Sequence, residues 1–468
     1  MRLLLVSTYE LGRQPVHLSS PAAALRQEGI AVTTIDLSVV AWDPSRLDDV
    51  DAVAFSVPMH TAMRLAVPVA ESIRRHRSDL PIAFYGLYAA VGSGRNLGEV
   101  ADALLVGEYE ADLVAWAHGA GDGSAKSSGV SRHRGRSRFH RPDRSGLPSH
   151  DNYARLEWMG EARLAGAVEA SHGCRHRCRH CPIPVVYDGR MRVVGAESVL
   201  ADIDQLAAGG VQHVTFGDPD FLNAPRYSMD LLRAAHAAHP DLTYDVTVKV
   251  EHILDHDTLW AEMAALGVLF VVSAFESTDR RTLDILDKNH TADDMARAVE
   301  VLRSAGIHVR PTWLPFFPWT TPAHLVDIVG FLDRHRLLST TDPVQLAIKL
   351  LIPEVSLLEN HPVVAPHLTT YRPESLSWAW EFENATVERL HDEIDAIAAE
   401  GSDCGAEAIE TLGSIRDRVG SVAGVDLGPM PVSAPAPRLT ETWFCCAEPT
   451  ATQASAVGLT IGRVPQTT

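Results

Sequence analysis

Three cysteines spaced Cys174-x-x-x-Cys178-x-x-Cys181, inside the run EASHGCRHRCRHCPIP, constrain this chain more than any other feature. Thiolates are soft ligands that suit iron–sulfur clusters and zinc. Three of them on one short loop can hold three irons of a cubane and leave the fourth iron without a protein ligand. A small molecule can bind that open iron and receive an electron. His172, His176 and His180 lie among the thiols, so the alternative is a zinc site completed by a histidine. Structural zinc sites pair two short Cys/His clusters separated in sequence. No second C-x-x-C or H-x-x-x-H follows here at finger spacing, which favours the cluster.

The rest of the composition bounds the setting. A length of 468 residues suggests two or three domains with ample core. Hydrophobic content of 46% and charged content of 22% are those of an ordinary globular protein. A formal charge of −19 argues against nucleic acid or a membrane surface as partner. No apolar run reaches the roughly 18 residues needed to span a bilayer. The opening MRLLLVSTYELG reads as a first strand rather than a signal peptide. Six cysteines, three of them clustered, do not make a disulfide framework, so the expected compartment is the cytoplasm.

Along residues 1–118 short apolar runs (3–7, 31–38, 51–57, 81–87, 101–107) alternate with helical stretches, which predicts a doubly wound parallel sheet of Rossmann-like or flavodoxin-like type. Ligands are expected at the carboxyl ends of its strands, where His17 and His60 fall in loops. Residues 119–150 are rich in Gly, Ser and Arg and read as a flexible, solvated tether. Residues 151–358 carry further strands at 166–173, 211–218, 242–250, 268–276, 307–315 and 343–351, with helical stretches between them. A mainly helical extension is expected over 359–430, and a partly disordered tail with Cys445 and Cys446 adjacent over 431–468. Cys404 stands alone and reads as a small buried or half-buried residue.

From about Gly166 to Leu358 the cysteine loop and the strands after it resemble the radical S-adenosylmethionine (SAM) superfamily. The resemblance implies an open (β/α)6 partial TIM barrel with its active site at the carboxyl ends of the strands. It implies a [4Fe-4S] cluster on Cys174, Cys178 and Cys181, with SAM chelating the open iron. His180 holds the position before the third cysteine, where the family places an aromatic residue against the adenine. FGDPDFLN resembles the family's amino-group motif and offers Gly217, Asp218 and Asp220, although a cap or turn role is the alternative for the aspartates. Lys249 and Glu251 end the third strand and are expected to meet the SAM carboxylate or ribose. AFES resembles the ribose-side segment and places Glu276 and Ser277 near the hydroxyls. Arg310 is a further carboxylate partner unless its strand turns it outward. Tyr187 and Arg190 are expected to order the loop behind the cluster. Arg175, Arg177 and Arg179 could raise the cluster's potential, receive an electron donor, or be exposed loop charges.

The N-terminal domain resembles, in layout, the cobalamin-binding domain of cobalamin-dependent radical SAM enzymes. The D-x-H-x-x-G motif is absent, so the resemblance implies cobalamin bound without a histidine ligand; a degenerate domain that only packs on the core is the alternative. FCCAEP resembles the CCAEP tail of a radical SAM subgroup in which selenocysteine can replace a cysteine. Vicinal thiols suit a thiophilic ion, a persulfide, a relay or substrate capture, with Trp443 and Phe444 as anchors and Glu448 tuning a thiol. The alternative is a flexible tail with incidental thiols.

Together these imply an enzyme that cleaves SAM to a 5′-deoxyadenosyl radical. Cobalamin dependence is expected, with methylation or rearrangement at an unactivated carbon of a small metabolite or natural-product precursor. A flavodoxin or ferredoxin would donate the electron. Two alternatives stand beside it. One is radical formation of a carbon–arsenic or carbon–selenium bond on a substrate held by Cys445 and Cys446. The other is a non-catalytic iron–sulfur or zinc-binding regulatory protein.

Overall fold

The fold is given by a computed structural model that describes residues 1–91, 97–122, 130–133, 139–432, 434–441 and 446–457. The first sheet has central strands that are apolar on both faces, flanked by more exposed edge strands. Its strands are β1 (Arg2–Ser7), β2 (Ala31–Asp36), β3 (Ala52–Ser56), β4 (Ile82–Tyr85), β5 (Ala103–Gly107) and β6 (Val130–His133), all paired in parallel in the order β2-β1-β3-β4-β5-β6. The central runs bury both faces because helices cover both. Leu3, Leu5, Ala54 and Tyr85 pack under the helices Val16–Gln27 and Glu110–Asp122. Leu4, Val6, Phe55 and Phe84 pack under His60–His76. Strand order reverses between β1 and β3, which opens a ligand crevice at their carboxyl ends.

The expectation of a solvated tether over 119–150 needs correction. Residues up to 122 finish a helix, Val130–His133 become the edge strand β6, and 139–149 form a docked strap; residues 123–129 and 134–138 lie outside the described ones. Arg144 explains the docking. It is 8% exposed, and its guanidinium forks onto both oxygens of Asp202 at 2.8 Å while reaching Gln14 at 2.9 Å and the carbonyl of Ala167 at 2.7 Å. One buried cation thereby ties the strap to both sheets. Composition alone hides this, because arginine-rich segments are usually solvated.

The second sheet follows. It contains β7 (Arg155–Trp158), β8 (Glu161–Val168), then, after the small hairpin β9 (Ser171–Gly173) and β10 (Met191–Val193), the strands β11 (His213–Phe216), β12 (Thr243–Thr247), β13 (Val268–Glu276) and β14 (His308–Trp313). A hairpin of β15 (Leu368–Arg372) and β16 (Ser377–Trp380) stands apart, and β17 (Arg438–Leu439) closes the sheet, whose order is β14-β13-β12-β11-β8-β7-β17. β8 and β11 to β14 are parallel and curl into a half-barrel, while β7 and β17 run antiparallel at the edge. Alternation sorts the side chains. Val214, Phe216, Val246, Val271 and Trp313 enter the core beneath the helices. His213, Thr215, Asp245, Phe270 and Arg310 fall on the opposite, inner face.

Two further expectations change. The sixth strand over 343–351 reduces to a helical turn, Pro343–Leu346, and a single parallel bridge between Phe316 and Lys349. The side-chain oxygen of Gln345 accepts the N–H of Trp313 at 3.0 Å, so a side chain stands where a strand's carbonyl would. The helical extension begins late, because SWAW alternates as a strand and the Trp380 indole donates to the carbonyl of Leu350 at 2.8 Å. Helices Ala385–Cys404 and Ala408–Ala423 come after, and Cys404 is exposed rather than packed. Among the described residues no helix is long and apolar enough to cross a membrane.

The strap gives a first prediction. Arg144→Ala leaves Asp202 buried without its partner and costs about 3–5 kcal/mol, read as a lower midpoint in denaturant unfolding; an unchanged midpoint would contradict the strap's docking.

Candidate functional site

The cysteines sit at the carboxyl edge of the half-barrel, between two paired strands. β9 leads in and β10 returns antiparallel to it, so the loop is pinched at its base. Gly173 makes the turn into the loop at φ +74°, and a Cβ there would collide with the carbonyl of Arg190. Asp218 fixes the approach by accepting the N–H of Ala170 at 3.0 Å and the hydroxyl of Ser171 at 2.5 Å. At the far side the N–H of Arg179 donates to the carbonyl of Leu286 at 2.9 Å. Its guanidinium takes the carbonyls of Asp284 at 3.0 Å and Ile285 at 2.7 Å. These are open carbonyls at a helix C-terminus, where a cation is favoured. Arg179 is thus the loop's anchor.

All three thiols are half-buried. Burial pushes the Cys181 and Cys174 thiols up, as expected of soft ligands with no metal charge to stabilise the thiolate. The side-chain amide of Asn223, 1% exposed, lies 3.5 Å from the Cys174 sulfur, and its oxygen accepts the N–H of Arg175 at 3.4 Å. The three neighbouring imidazoles are engaged elsewhere: His172 with Glu108 and Glu169, His176 with Lys249, and His180 with Glu276. The donor set is therefore three sulfurs, which fits an iron–sulfur cluster with one open iron better than a zinc site closed by a flanking histidine.

Glu276 ends β13 at φ +65° and receives His180 at 3.1 Å and Lys288 at 3.2 Å. Burial works to raise its carboxyl, but the charges of Lys288 and His180 outweigh burial and hold it at about 2. Burial works against the Lys288 ammonium, yet Glu276 and then the sulfurs of Cys178 and Cys181 hold it charged. An almost fully buried cation therefore lies within electrostatic reach of the cysteine loop.

The remaining expected SAM contacts divide. Asp220, Lys249 and Glu251 meet in one group. Lys249 Nζ bonds Glu251 at 2.9 Å and lies 3.2 Å from His176 Nδ1, and its N–H reaches Asp220 at 3.3 Å. Asp220 also caps the turn Phe221–Asn223 through the N–H of Leu222 at 3.0 Å, so it fills the cap role as well. Gly217 pairs by backbone with Val168 at 2.8 Å, and the Ser277 hydroxyl accepts the N–H of Asp279 at 3.1 Å. Arg310 lies on the inner face over Phe270 and is paired with Asp342 at 2.5 Å. Asp218, Ser277 and Arg310 are thus engaged by the chain itself.

Sequence reasoning missed Asn223, His252 and Lys288. Asn223 lay inside the quoted FGDPDFLN, and His252 with His256 sits one helical turn apart, a usable signal. Lys288 left none, since only the left-handed turn at Asp287 and Asn289 aims it inward.

The first sheet presses its carboxyl edge against this loop. Glu108, just past β5, takes His172 at 3.1 Å and the Tyr187 hydroxyl at 3.1 Å. His172 also meets Glu169 at 3.2 Å, and His17 bridges Glu169 at 3.3 Å and Glu10 at 3.0 Å. Burial works to lower the His17 pKa, but Glu169 and Glu10 raise it to about 9. His17 lies inside the first helix rather than in a loop, and His60 begins the second.

The tail docks at the crevice. Glu448 takes His60 Nε2 at 3.1 Å and Arg64 Nε at 2.8 Å, while the Thr61 hydroxyl donates to the carbonyl of Ala447 at 2.8 Å. Burial opposes the Glu448 carboxylate, but His60 and Arg64 hold it at about 2. Glu448 is therefore a clamp for the tail and not a base for its thiols. Ala447, Ala454 and Val457 pack with Tyr9 and Tyr88 of the first domain. Cys446 is half-buried. Cys445, Trp443 and Phe444 lie outside the described residues.

Lys288→Met should lower the cluster's reduction potential, because it removes a buried positive charge within electrostatic reach of the cysteine loop. A redox titration followed by electron paramagnetic resonance checks this; an unmoved or raised potential would contradict the assignment.

Residues 168–332 match the sequence model of the Radical SAM superfamily. Hopanoid C-2 methylase of Rhodopseudomonas palustris is 30% identical over 70 residues, covering 15% of this chain and 13% of that protein. The ribosomal protein uS12 methylthiotransferase RimO of Synechococcus is 27% identical over 190 residues, covering 36% and 38%. The chain therefore spans well under half the length of these two relatives. Among solved structures, the radical SAM methyltransferase TsrM from Kitasatospora setae, with tryptophan and a SAM analogue bound, superposes with a TM-score of 0.54 at 19% identity, over 72% of this chain and 71% of that one. The cobalamin-dependent radical SAM enzyme OxsB, with aqua-cobalamin bound, gives 0.63 at 14% identity over 86% and 67%. These likenesses establish the shared fold: a parallel α/β sheet joined to a curled half-barrel. The stretch that matches the Radical SAM superfamily model, residues 168–332, includes the three cysteines at the carboxyl edge of that half-barrel.

Proposed function

We propose that this protein is a radical SAM enzyme acting on a small molecule. The observation that carries the reading is the donor set: three half-buried thiols on one pinned loop, with each flanking imidazole bound elsewhere. Bound there, a [4Fe-4S] cluster supplies the low-potential electron that cleaves SAM to methionine and a 5′-deoxyadenosyl radical. Asn223 places a hydrogen-bond donor against the Cys174 sulfur and Lys288 a cation within electrostatic reach of the loop, which eases reduction. Lys249 and Glu251 offer opposite charges to the carboxylate and ammonium of an amino-acid end, and Asp220 orients both. His180 and Glu276 hold each other on the opposite side of the loop. The edge of the first sheet, through Glu108 and His172, shields the site from water.

Residues 1–118 form, in this reading, a cobalamin domain: the chain shares its fold with OxsB, whose structure holds aqua-cobalamin, and the crevice at the carboxyl ends of β1 and β3 is where such a sheet takes a ligand. The chain's own crevice is filled by the tail, and the cavity that remains beside it, about 320 Å³ between Thr8, Tyr9, Tyr153 and Gln453, is far below a corrinoid's size. In this reading residues 446–457 withdraw when cobalamin enters. Glu448→Ala, which breaks the clamp, should therefore speed and strengthen cobalamin uptake, seen in the corrin absorption bands; equal uptake by both proteins would contradict gating by the tail. The reaction class proposed is methylation or rearrangement at an unactivated carbon, with a flavodoxin or ferredoxin as electron donor.

One observation favours a second reading. Glu448 anchors the segment that carries Cys446 to the carboxyl edge of the first sheet, so a thiophilic arsenic or selenium species held by Cys445 and Cys446 would ride on a tail docked at that edge. Alanine at both positions then spares SAM cleavage and abolishes transfer.

Anaerobic reconstitution with iron, sulfide and hydroxocobalamin tests the leading reading. The expected product is a brown protein with about four irons per chain that forms 5′-deoxyadenosine from SAM under reductant, and Cys178→Ala loses both properties. A colourless protein holding one zinc would support a regulatory binding protein instead.

A further inference from the structure

We propose a mononuclear site for a first-row divalent cation on His176, Asp220 and His252, distinct from the three sulfurs of the cysteine loop. Three separate elements bring these side chains together. His176 lies within the loop, Asp220 follows β11, and His252 sits on the helix Val250–Asp255 that follows β12. Their ligand atoms all fall within 4.8 Å of one another. His252 Nδ1 is 2.9 Å from Asp220 Oδ2, and His176 Nε2 is 3.8 Å from that same oxygen.

Hydrogen bonding is what points to a ligand. His176 Nε2 and His252 Nδ1 are both enclosed. Asp220 itself is 2% exposed. His252 Nδ1 is already ion-paired with Asp220, so the enclosed His176 Nε2, 3.8 Å from the same buried carboxylate oxygen, is the nitrogen left without a hydrogen bond, which is costly unless a ligand reaches it. A cation bonded at roughly 2.1 Å in tetrahedral geometry holds its ligands about 3.4 Å apart, a value the two observed separations bracket. Small rotations of the rings suffice to load it.

The surroundings agree in charge and in orientation. Asp220 and Glu251 supply two negative charges and Lys249 one positive, leaving a net charge that suits a cation. Glu251 lies 3.8 Å from His176 Nδ1. At that distance Glu251 does not yet bond the ring, and a small movement toward Nδ1 would let it support a ligating histidine. Lys249 keeps its 2.9 Å bond to Glu251 and releases the ring. Two imidazoles and one carboxylate suit zinc, iron(II), cobalt(II) or manganese(II), and leave positions open for an oxygen donor. The site shares Asp220, Lys249 and Glu251 with the amino-acid pocket proposed above, so a cation there would compete with SAM, and a test made without cluster or SAM reads the two separately.

The test uses the full chain with Cys174, Cys178 and Cys181 changed to alanine, which removes the cluster's colour, and cobalt(II) as the probe. About one cobalt per chain should bind, with visible bands and no sulfur-to-cobalt charge transfer, and adding His252→Ala or His176→Ala should weaken binding at least about tenfold. Cobalt binding that is absent, or unchanged by both histidine substitutions, overturns the site. Should the triple variant fold poorly by circular dichroism, metal analysis of the anaerobically reconstituted wild-type chain in excess zinc decides. One zinc beyond the cluster iron, lost in His252→Ala with the cluster signal kept, sustains the proposal; no additional zinc refutes it.

Discussion

The architecture depends on holding three cysteines rigid at the meeting of two sheets, and that is achieved with buried charge rather than apolar packing. Arg179 plugs the carbonyls at the end of the helix Arg280–Leu286, and Lys288 and Glu276 lie close by, both almost fully buried. A loop of seven to eight residues rich in Arg and His has too little apolar surface to fix itself. Its shape comes from what its cations find: helix carbonyls, a strand-end carboxylate and the edge of a neighbouring sheet. A desolvated pair of this kind contributes little net stability, but breaking one partner is costly, so geometry is what it secures.

The same logic joins the two sheets. Glu10, His17, Glu169, His172 and Glu108 alternate acid and base, and the pairs His17–Glu169 and His172–Glu108 cross from one sheet to the other. Arg144 repeats the pattern with Gln14 on one side and Asp202 on the other. The first sheet is thereby held with its ligand edge over the cysteine loop. The tail then uses that edge as a dock, with Glu448 as its fixed point.

Much of this was legible in the chain. Apolar runs gave the strands of both sheets, because parallel strands covered on two faces leave an unmistakable pattern, and the cysteine spacing located the site. Positions whose roles arise from contacts distant in sequence were not legible. Lys288 reaches Glu276 through a left-handed turn, and Arg144 looked solvated until its partner at Asp202 was seen. The stretch 343–351 reads as a strand by composition, yet Gln345 takes the place of its backbone pairing. Asp218 and Arg310 show the opposite failure. Their residue types suit SAM, but the fold had already used them, one to pin the approach to the loop and the other to pair with Asp342.

The central claim is that the three sulfurs leave one iron for SAM to bind through its amino-acid end. Electron–nuclear double resonance on the reduced, reconstituted protein tests it directly, using SAM labelled with oxygen-17 in the carboxylate and nitrogen-15 in the amine. The account predicts strong hyperfine coupling from both labels to the cluster. A reduced cluster that shows neither coupling in the presence of saturating SAM would contradict it.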